Sequence, residues 1–213
     1  MTKSNRWTYG DSWEKYSIEA GQLWRAGESQ VAAHDLFDGL PDYMLEADLI
    51  YTDSPWNTGN INSFYTKAGI DESRTFEEFT KVLFHHIAAI APVVCYLEIG
   101  KQNVELFKEA MADQYKAVQT WQVTYYRKKP SYLVRGSQTP TSFDFSGYDD
   151  MDTPILAMQH ENFNCVADLC MGRGLTGISA YKLGKKFVGT ELNKRRLAVL
   201  IDKTTQMGAM WSH

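Results

Sequence analysis

Residues 166–192, VADLCMGRGLTGISAYKLGKKFVGTEL, constrain the fold more than any other stretch of the chain. An apolar run ends near Asp168, glycines follow at 172, 174 and 177, a helical stretch comes next, and a second apolar run closes on Glu191. The pattern reads as strand, tight turn, helix and strand, a unit whose two strands lie parallel in a sheet covered by helices. Asp168 and Glu191 stand 23 positions apart, close to the ~20 residues expected between a glycine-rich turn and a carboxylate that binds a ribose. Gly172 and Gly174 let the backbone approach a ligand where a Cβ would collide, and Thr176 begins the helix. Glu191, at the tip of the neighbouring strand, can accept hydrogen bonds from both ribose hydroxyls. Gly172, Gly174 and Gly177 also satisfy GxGxxG, so spacing leaves open a dinucleotide site, and equally a tight turn that holds no ligand.

The same alternation runs through the rest of the chain. Ala47–Thr52 and Val93–Ile99 read as buried strands, Cys165–Leu169 and Lys186–Thr190 as two more, and Ala117–Arg127 as a β-branched and aromatic strand to which Ser131–Arg135 returns as a hairpin. Helices are predicted from Thr75 to Ile90, with Thr75 and Glu78 as a capping box and Pro92 as the stop, and over Lys101–Gln114, Pro154–Gln159, Thr176–Leu183 and Asn193–Thr205. Gly136–Asp152 has neither period and reads as a loop free to move. With 213 residues the expectation is one α/β domain, with residues 1–26 as an N-terminal arm and 127–152 as a short hairpin and loop. A mainly parallel sheet with helices on both faces places ligands at the carboxyl ends of its strands.

The balance of 22 basic and 26 acidic residues, net −4, gives no polycationic character, so any contact with nucleic acid must be local. Arg127, Lys128 and Lys129, with Arg135, form such a cluster, interleaved with Tyr125, Tyr126 and Tyr132. A solvated hairpin tip explains it equally well. Lys194, Arg195 and Arg196 read as helix-surface charge. Cys95, Cys165 and Cys170 show no CxxC or Cys/His spacing, and the adjacent His85 and His86 point to different helix faces, so no metal site is expected. No apolar run reaches the roughly 18–20 residues of a membrane span and no secretory signal opens the chain, which predicts a cytoplasmic protein with no membrane partner.

At the end of the 47–52 run stands Asp53-Ser54-Pro55-Trp56, followed by NTGN. A carboxylate, a backbone carbonyl fixed by proline and an indole share one turn, a set that suits an aromatic amine: the heterocycle stacks on Trp56 while Asp53 and the Pro55 carbonyl accept its amino hydrogens. An ordinary turn with a core tryptophan fits the same residues.

Taken together, DLIYTDSPWNTGN and VADLCMGRGLTG resemble the catalytic motif written DPPY–NTGN and the cofactor motif written DPFxGxGTTG of the DNA amino-methyltransferases of restriction-modification systems. The order of the two motifs is that of the β group. GTELNKRR resembles the segment with the ribose-binding acid, His34-Asp35 stands where the family has Gly-Asp near the cofactor adenine, and Pro154 in TPILAM stands in its Lys-Pro segment. The resemblance covers residues 30–62 and 153–200. It implies a Rossmann-like S-adenosylmethionine-dependent methyltransferase fold, with Asp35, Pro154, Asp168, Cys170, Gly172, Gly174, Thr176 and Glu191 at the cofactor and Asp53, Ser54, Pro55 and Trp56 at the target base. The chain departs from the pattern at Ser54 for proline, Cys170 for phenylalanine and Arg173 in the glycine turn. Only 25 positions separate Arg127 from Asp152, where the family carries its target-recognition region. The implied activity is methylation of adenine N6 in DNA, double- or single-stranded, with little sequence discrimination, in a bacterial or phage setting. Cytosine N4, RNA, a catalytically silent nucleic-acid-binding subunit and a homodimer stay open beside it.

Overall fold

The computed structural model describes residues 10–213. In chain order its elements are α1 (Ser12–Lys15), β1 (Leu23–Ala26), β2 (Ser29–Ala33), β3 (Leu49–Asp53), α2 (Thr58–Ala68), α3 (Phe76–Ile90), β4 (Val94–Ile99), α4 (Val104–Ala112), β5 (Ala117–Tyr125), β6 (Lys129–Ser137), α5 (Thr153–Gln159), β7 (Cys165–Asp168), α6 (Leu175–Lys182), β8 (Lys186–Glu191) and α7 (Lys194–Gln206). The eight strands form one sheet in the order β1-β2-β8-β7-β3-β4-β6-β5. The five central strands, β2 to β4 in that order, pair in parallel, and antiparallel pairs close both flanks.

Strand periodicity divides the core into two layers. Along β3, Leu49 and Tyr51 pack on one face with Val166, Ala157, Ala180, Leu197 and Ile201, bringing α5, α6 and α7 against the sheet. Ile50 faces the other way, with Cys95, Leu97, Leu83, Ile87 and Phe107 of the α3 and α4 side. Helix α3 begins at the expected capping box: the Glu78 amide donates to Thr75 Oγ1 (3.1 Å) and the Thr75 amide to Glu78 Oε2 (2.8 Å).

From β3 the chain crosses to β4 on one side, and from β7 it crosses through α6 to β8 on the other. The carboxyl ends of β3 and β7 are therefore the switch point of the sheet, where diverging connections leave a crevice.

Several sequence expectations are corrected. Residues 1–9 of the predicted arm lie outside the described residues, and residues 23–26 are no arm: they are strand β1, paired with β2 and bridged at Arg25 to Ser212. NTGN is not only a turn but the start of α2, with the Asn57 side chain accepting from the Asn60 amide at 2.9 Å. The expected helix at 101–114 is a 3₁₀ turn, Lys101–Asn103, followed by the shorter α4. The segment 138–152, expected as a free loop, is fastened along β5: Gln119 exchanges side-chain hydrogen bonds with Thr141 (2.9 and 2.7 Å), and Gly147 and Asp150 donate their amides to the Gln122 and Thr124 carbonyls. Phe145 is fully buried, with Trp121 and Phe143 at ring-centroid distances of 5.0 and 4.7 Å.

Among the described residues no helix is long and apolar enough to cross a membrane.

Candidate active site at the switch point

The crevice is organised by a polar bridge between β3 and β7. Thr52 Oγ1 donates to Asp168 Oδ1 (3.1 Å) and accepts from the Leu169 amide (3.0 Å). Asp168 also accepts from the Cys170 amide (3.0 Å) and from Thr176 Oγ1 at its other oxygen (2.7 Å). These hydrogen bonds lower its pKa, but burial outweighs them and pushes it up to about 7. Asp168 and Thr176 thus shape the turn from within, both of them buried.

The three glycines divide their labour. A Cβ on Gly172 (φ +56°) would meet only the Cys170 carbonyl oxygen, at an unstrained 3.9 Å, whereas a Cβ on Gly174 (φ +79°) would lie 2.5 Å from Leu200 Cδ1 and one on Gly177 2.7 Å from the Phe187 ring. The absence of a Cβ at Gly174 is what lets helix α7 approach, a reason for glycine beyond the one expected from the sequence. Gly174→Ala combines left-handed strain of ~1–2 kcal/mol with overpacking of ~1–3 kcal/mol. Gly172→Ala incurs the strain alone. Denaturant midpoints of the two variants are expected to differ accordingly, with Gly174→Ala the less stable.

Glu191 is buried at the end of β8, and its two oxygens accept from the Gly172 amide (2.7 Å) and the Asn193 amide (2.9 Å). Burial raises its pKa. Ala33 of β2 is its register partner, and two residues later Asp35 caps a 3₁₀ turn, accepting from the Phe37 amide (3.0 Å) and the Tyr65 hydroxyl (2.7 Å). Cys170 is half-buried. Burial and the negative charges of Asp168, Glu191, Asp53 and Asp35 hold its thiol well above the usual range, so it stays protonated. Pro154 is buried in the first turn of α5, beside Thr153, which bonds Glu98.

Asp53 ends β3 with its side chain open to solvent. Burial of its surroundings pushes its pKa up to about 7, the Asp150 and Asp168 charges add to the rise, and the hydrogen bond from Trp56 and the Arg196 charge oppose it. Ser54 is buried and turns inward, its hydroxyl 3.5 Å from the Glu98 carbonyl oxygen. Trp56 is more than a stacking face. Its indole N–H donates to Asp53 Oδ1 (3.2 Å), its carbonyl accepts from Asn103 Nδ2 (2.7 Å), and its ring lies so close to Gly100 that a Cβ there would approach to 2.9 Å. Tyr125 sits against the indole at 4.8 Å with a 60° tilt, and Tyr126 follows at 4.4 Å.

The β5–β6 turn holds Tyr126 and Arg127 in left-handed backbone, φ +51° and +54°. The consecutive carboxylates Asp150 and Asp149 accept from their amides, at 2.9 and 2.5 Å. Arg127, Lys128 and Lys129 are exposed on this turn, close to Trp56 through Tyr125. Arg135 is a correction: it is 3% exposed, with Nε bonded to Glu161 (2.8 Å) and to the Tyr96 hydroxyl (3.1 Å), and Nη1 to Ser137 Oγ (2.7 Å). It faces the core and is withheld from any nucleic acid. His86 is likewise engaged, its Nε2 lying 2.8 Å from the Leu36 carbonyl oxygen. Among the described residues no group of His, Cys, Asp and Glu is arranged to hold a metal ion.

Reading the sequence missed Glu98, Asp150 and Tyr125 as neighbours of Asp53. Glu98 carried a signal, a single charge in the apolar run VVCYLEI. The other two depend on the path of residues 138–152, which has no periodic trace.

No family model and no curated protein sequence matches the chain. Solved structures do. The complex of M1.HpyAVI with S-adenosylmethionine aligns at TM-score 0.58 and 15% identity, over 81% of this chain and 97% of that one. TTHA0409 of Thermus thermophilus, described as a DNA modification methylase and solved with S-adenosyl-L-methionine, aligns at 0.58 and 13%, over 83% and 93%. The cytosine-N4-specific PvuII DNA methyltransferase aligns at 0.51 and 10%, over 89% and 95%. At such identities the likeness speaks for architecture, and the chain has the mixed α/β fold, with one mainly parallel sheet, of these methyltransferase structures.

Proposed function

We propose that this chain transfers a methyl group from S-adenosylmethionine to the exocyclic N6 of adenine in DNA. The observation that carries the reading is the bridge from Thr52 to Asp168, which fixes an Asp-Ser-Pro-Trp turn and a glycine-rich turn at adjacent strand ends of the switch point. The second turn suits the cofactor: Gly172 is not crowded by any side chain, Glu191 ends the next strand, and Asp35, Asp53, Asp168 and Glu191 give the crevice a negative field that favours a cationic sulfonium. Once bound, S-adenosylmethionine supplies an electrophilic methyl.

The chain's own residues do the rest. The adenine amine is a poor nucleophile because its lone pair is delocalised into the ring. Hydrogen bonds from the amine to Asp53 and to the Pro55 carbonyl favour the pyramidal geometry of a developing ammonium, and they strengthen as the charge appears. Holding the amine in line with the methyl supplies much of the acceleration. Trp56 orients Asp53 through its N–H, and with Tyr125 forms an aromatic wall for a base that is flipped out or unpaired. Arg127, Lys128 and Lys129 contact phosphates. The segment 138–152 is spent on fastening the hairpin, so few rigid side chains remain for groove readout and sequence discrimination is low. The reading puts the enzyme in the cytoplasm of a bacterial or phage-infected cell. The PvuII likeness favours cytosine N4 as the second reading.

Equilibrium titration with S-adenosylmethionine, followed by transfer to single- and double-stranded oligonucleotides, tests the proposal. Binding and transfer are expected, and a folded chain that binds no cofactor contradicts it. Glu191→Ala is expected to weaken cofactor binding by roughly 1.5–3 kcal/mol, the worth of hydrogen bonds to a charged acceptor. An unchanged dissociation constant would assign the ribose to another acid.

A further inference from the structure

Glu98 is the single charged residue of β4, and it is 1% exposed. In the parallel β3–β4 ladder it is the register partner of Asp53, and side chains paired in such a ladder stand on the same face of the sheet. Tyr51, two residues before Asp53 and on that face, bonds Glu98 Oε1 through its hydroxyl. Thr153 Oγ1 donates to the same oxygen at 2.9 Å, and the Tyr51 and Thr153 hydroxyls lie 2.7 Å apart. Strands β3 and β4 and helix α5 therefore meet at one carboxyl oxygen. The other oxygen, Oε2, is out of solvent and has no hydrogen-bond partner among the described residues.

Ionised, Glu98 would keep a charged oxygen out of solvent with no protein donor, which costs far more than burying the neutral acid. The ionisable groups that face it offer no compensation. Tyr51 and Asp53 on β3 and Asp150 before α5 are neutral or negative, and Arg196 bears on Asp53 instead.

We propose that Glu98 is the positioning residue of Asp53: as a neutral acid anchored to Tyr51 and Thr153, it fixes the end of β3 and leaves Asp53 as the one negative charge of the pair. This rests on Asp53 being the acceptor of the substrate amine. Burial and the Asp53 charge hold the Glu98 carboxyl well above the usual carboxylate range. The pair gives up its protons in two steps, and the singly charged form is the one that works. Burying a carboxyl with an unpaired oxygen is unfavourable for folding, and a site that needs a stiff, singly charged strand end gives that arrangement a use.

Infrared difference spectroscopy on the chain without substrate tests the protonation. The protonated-carboxyl signal at neutral pH, to which Asp53 and Asp168 also contribute, is expected to contain a component that persists in Asp53→Asn and is lost in Glu98→Gln. A parent spectrum that matches that of Glu98→Gln overturns the proposal. In single-turnover and steady-state assays, Glu98→Ala is expected to lower kcat by about tenfold or more with KM little changed. Glu98→Gln should restore most of kcat and keep the acid limb of the pH–rate profile in place. A Glu98→Gln limb displaced downward by about one pH unit, the sign of a lost negative charge, or a Glu98→Gln enzyme as slow as Glu98→Ala, contradicts the role. If Glu98→Ala does not fold, the spectrum and the Glu98→Gln profile decide. A parent chain that methylates nothing defeats the proposed function while the infrared result still decides the state of Glu98.

Discussion

Asp53→Ala is expected to lower methyl transfer by about 10²- to 10³-fold, the usual cost of removing one preorganised group aimed at developing charge, with cofactor affinity nearly unchanged. The separation follows from the proposed roles: Asp53 would address the base from β3, whereas the glycine-rich turn proposed for the cofactor is held by Asp168, Thr176 and Glu191 of β7, α6 and β8. The parent should also lose activity as pH falls through about 7. The buried surroundings of Asp53, reinforced by the Asp150 and Asp168 charges, raise its pKa to that value, and the protonated acid accepts poorly from an amine. Parallel measurement of kcat, KM and the cofactor dissociation constant checks both points. Retained turnover in Asp53→Ala would remove the residue from the mechanism.

The second large effect is on stability. Arg135→Met leaves Glu161, with its side chain 10% exposed, without its ion-pair partner, and removing one member of a buried pair costs about 3–5 kcal/mol. For a chain of this length each kcal/mol lowers Tm by about 2–4 °C. Arg135→Met combined with Glu161→Leu should recover much of the loss, since an apolar pair of similar volume carries no unpaired charge. Binding of nucleic acid by the folded single variant should be unaffected.

Arg135 also marks the limit of what the chain discloses before it folds. Beside Arg127, Lys128 and Lys129 it reads as one more surface charge, because its partner Glu161 is 26 positions away and only the return of the chain brings them together. The β7–α6–β8 unit was legible because its periodicity, glycines and closing acid lie within a single stretch and obey local geometry. Strand β1 was not. As an edge strand with Arg25 exposed and bounded by its own hairpin, it lacks the continuous apolar run of β3 or β4. The start of α2 was hidden because Asn57, Gly59 and Asn60 are turn residues as well as capping ones. In the candidate site, the strand-end positions of Asp53, Asp168 and Glu191 were legible because each closes an apolar run. The packing of Gly174 against Leu200 was not legible, since the space a Cβ would need there is set by helix packing. Tyr125, Asp150 and Glu98 reach Asp53 only through sheet order, which places β6 and β5 beyond β4.

The central claim is a chemical one, a methyl group on adenine N6, and it is tested most directly by the product. DNA incubated with the chain and S-adenosylmethionine labelled in its methyl group, then digested to nucleosides, is expected to carry the label in N6-methyldeoxyadenosine, in both ordered and random sequence contexts. Label in N4-methyldeoxycytidine, or no label from a folded chain that binds the cofactor, would contradict it.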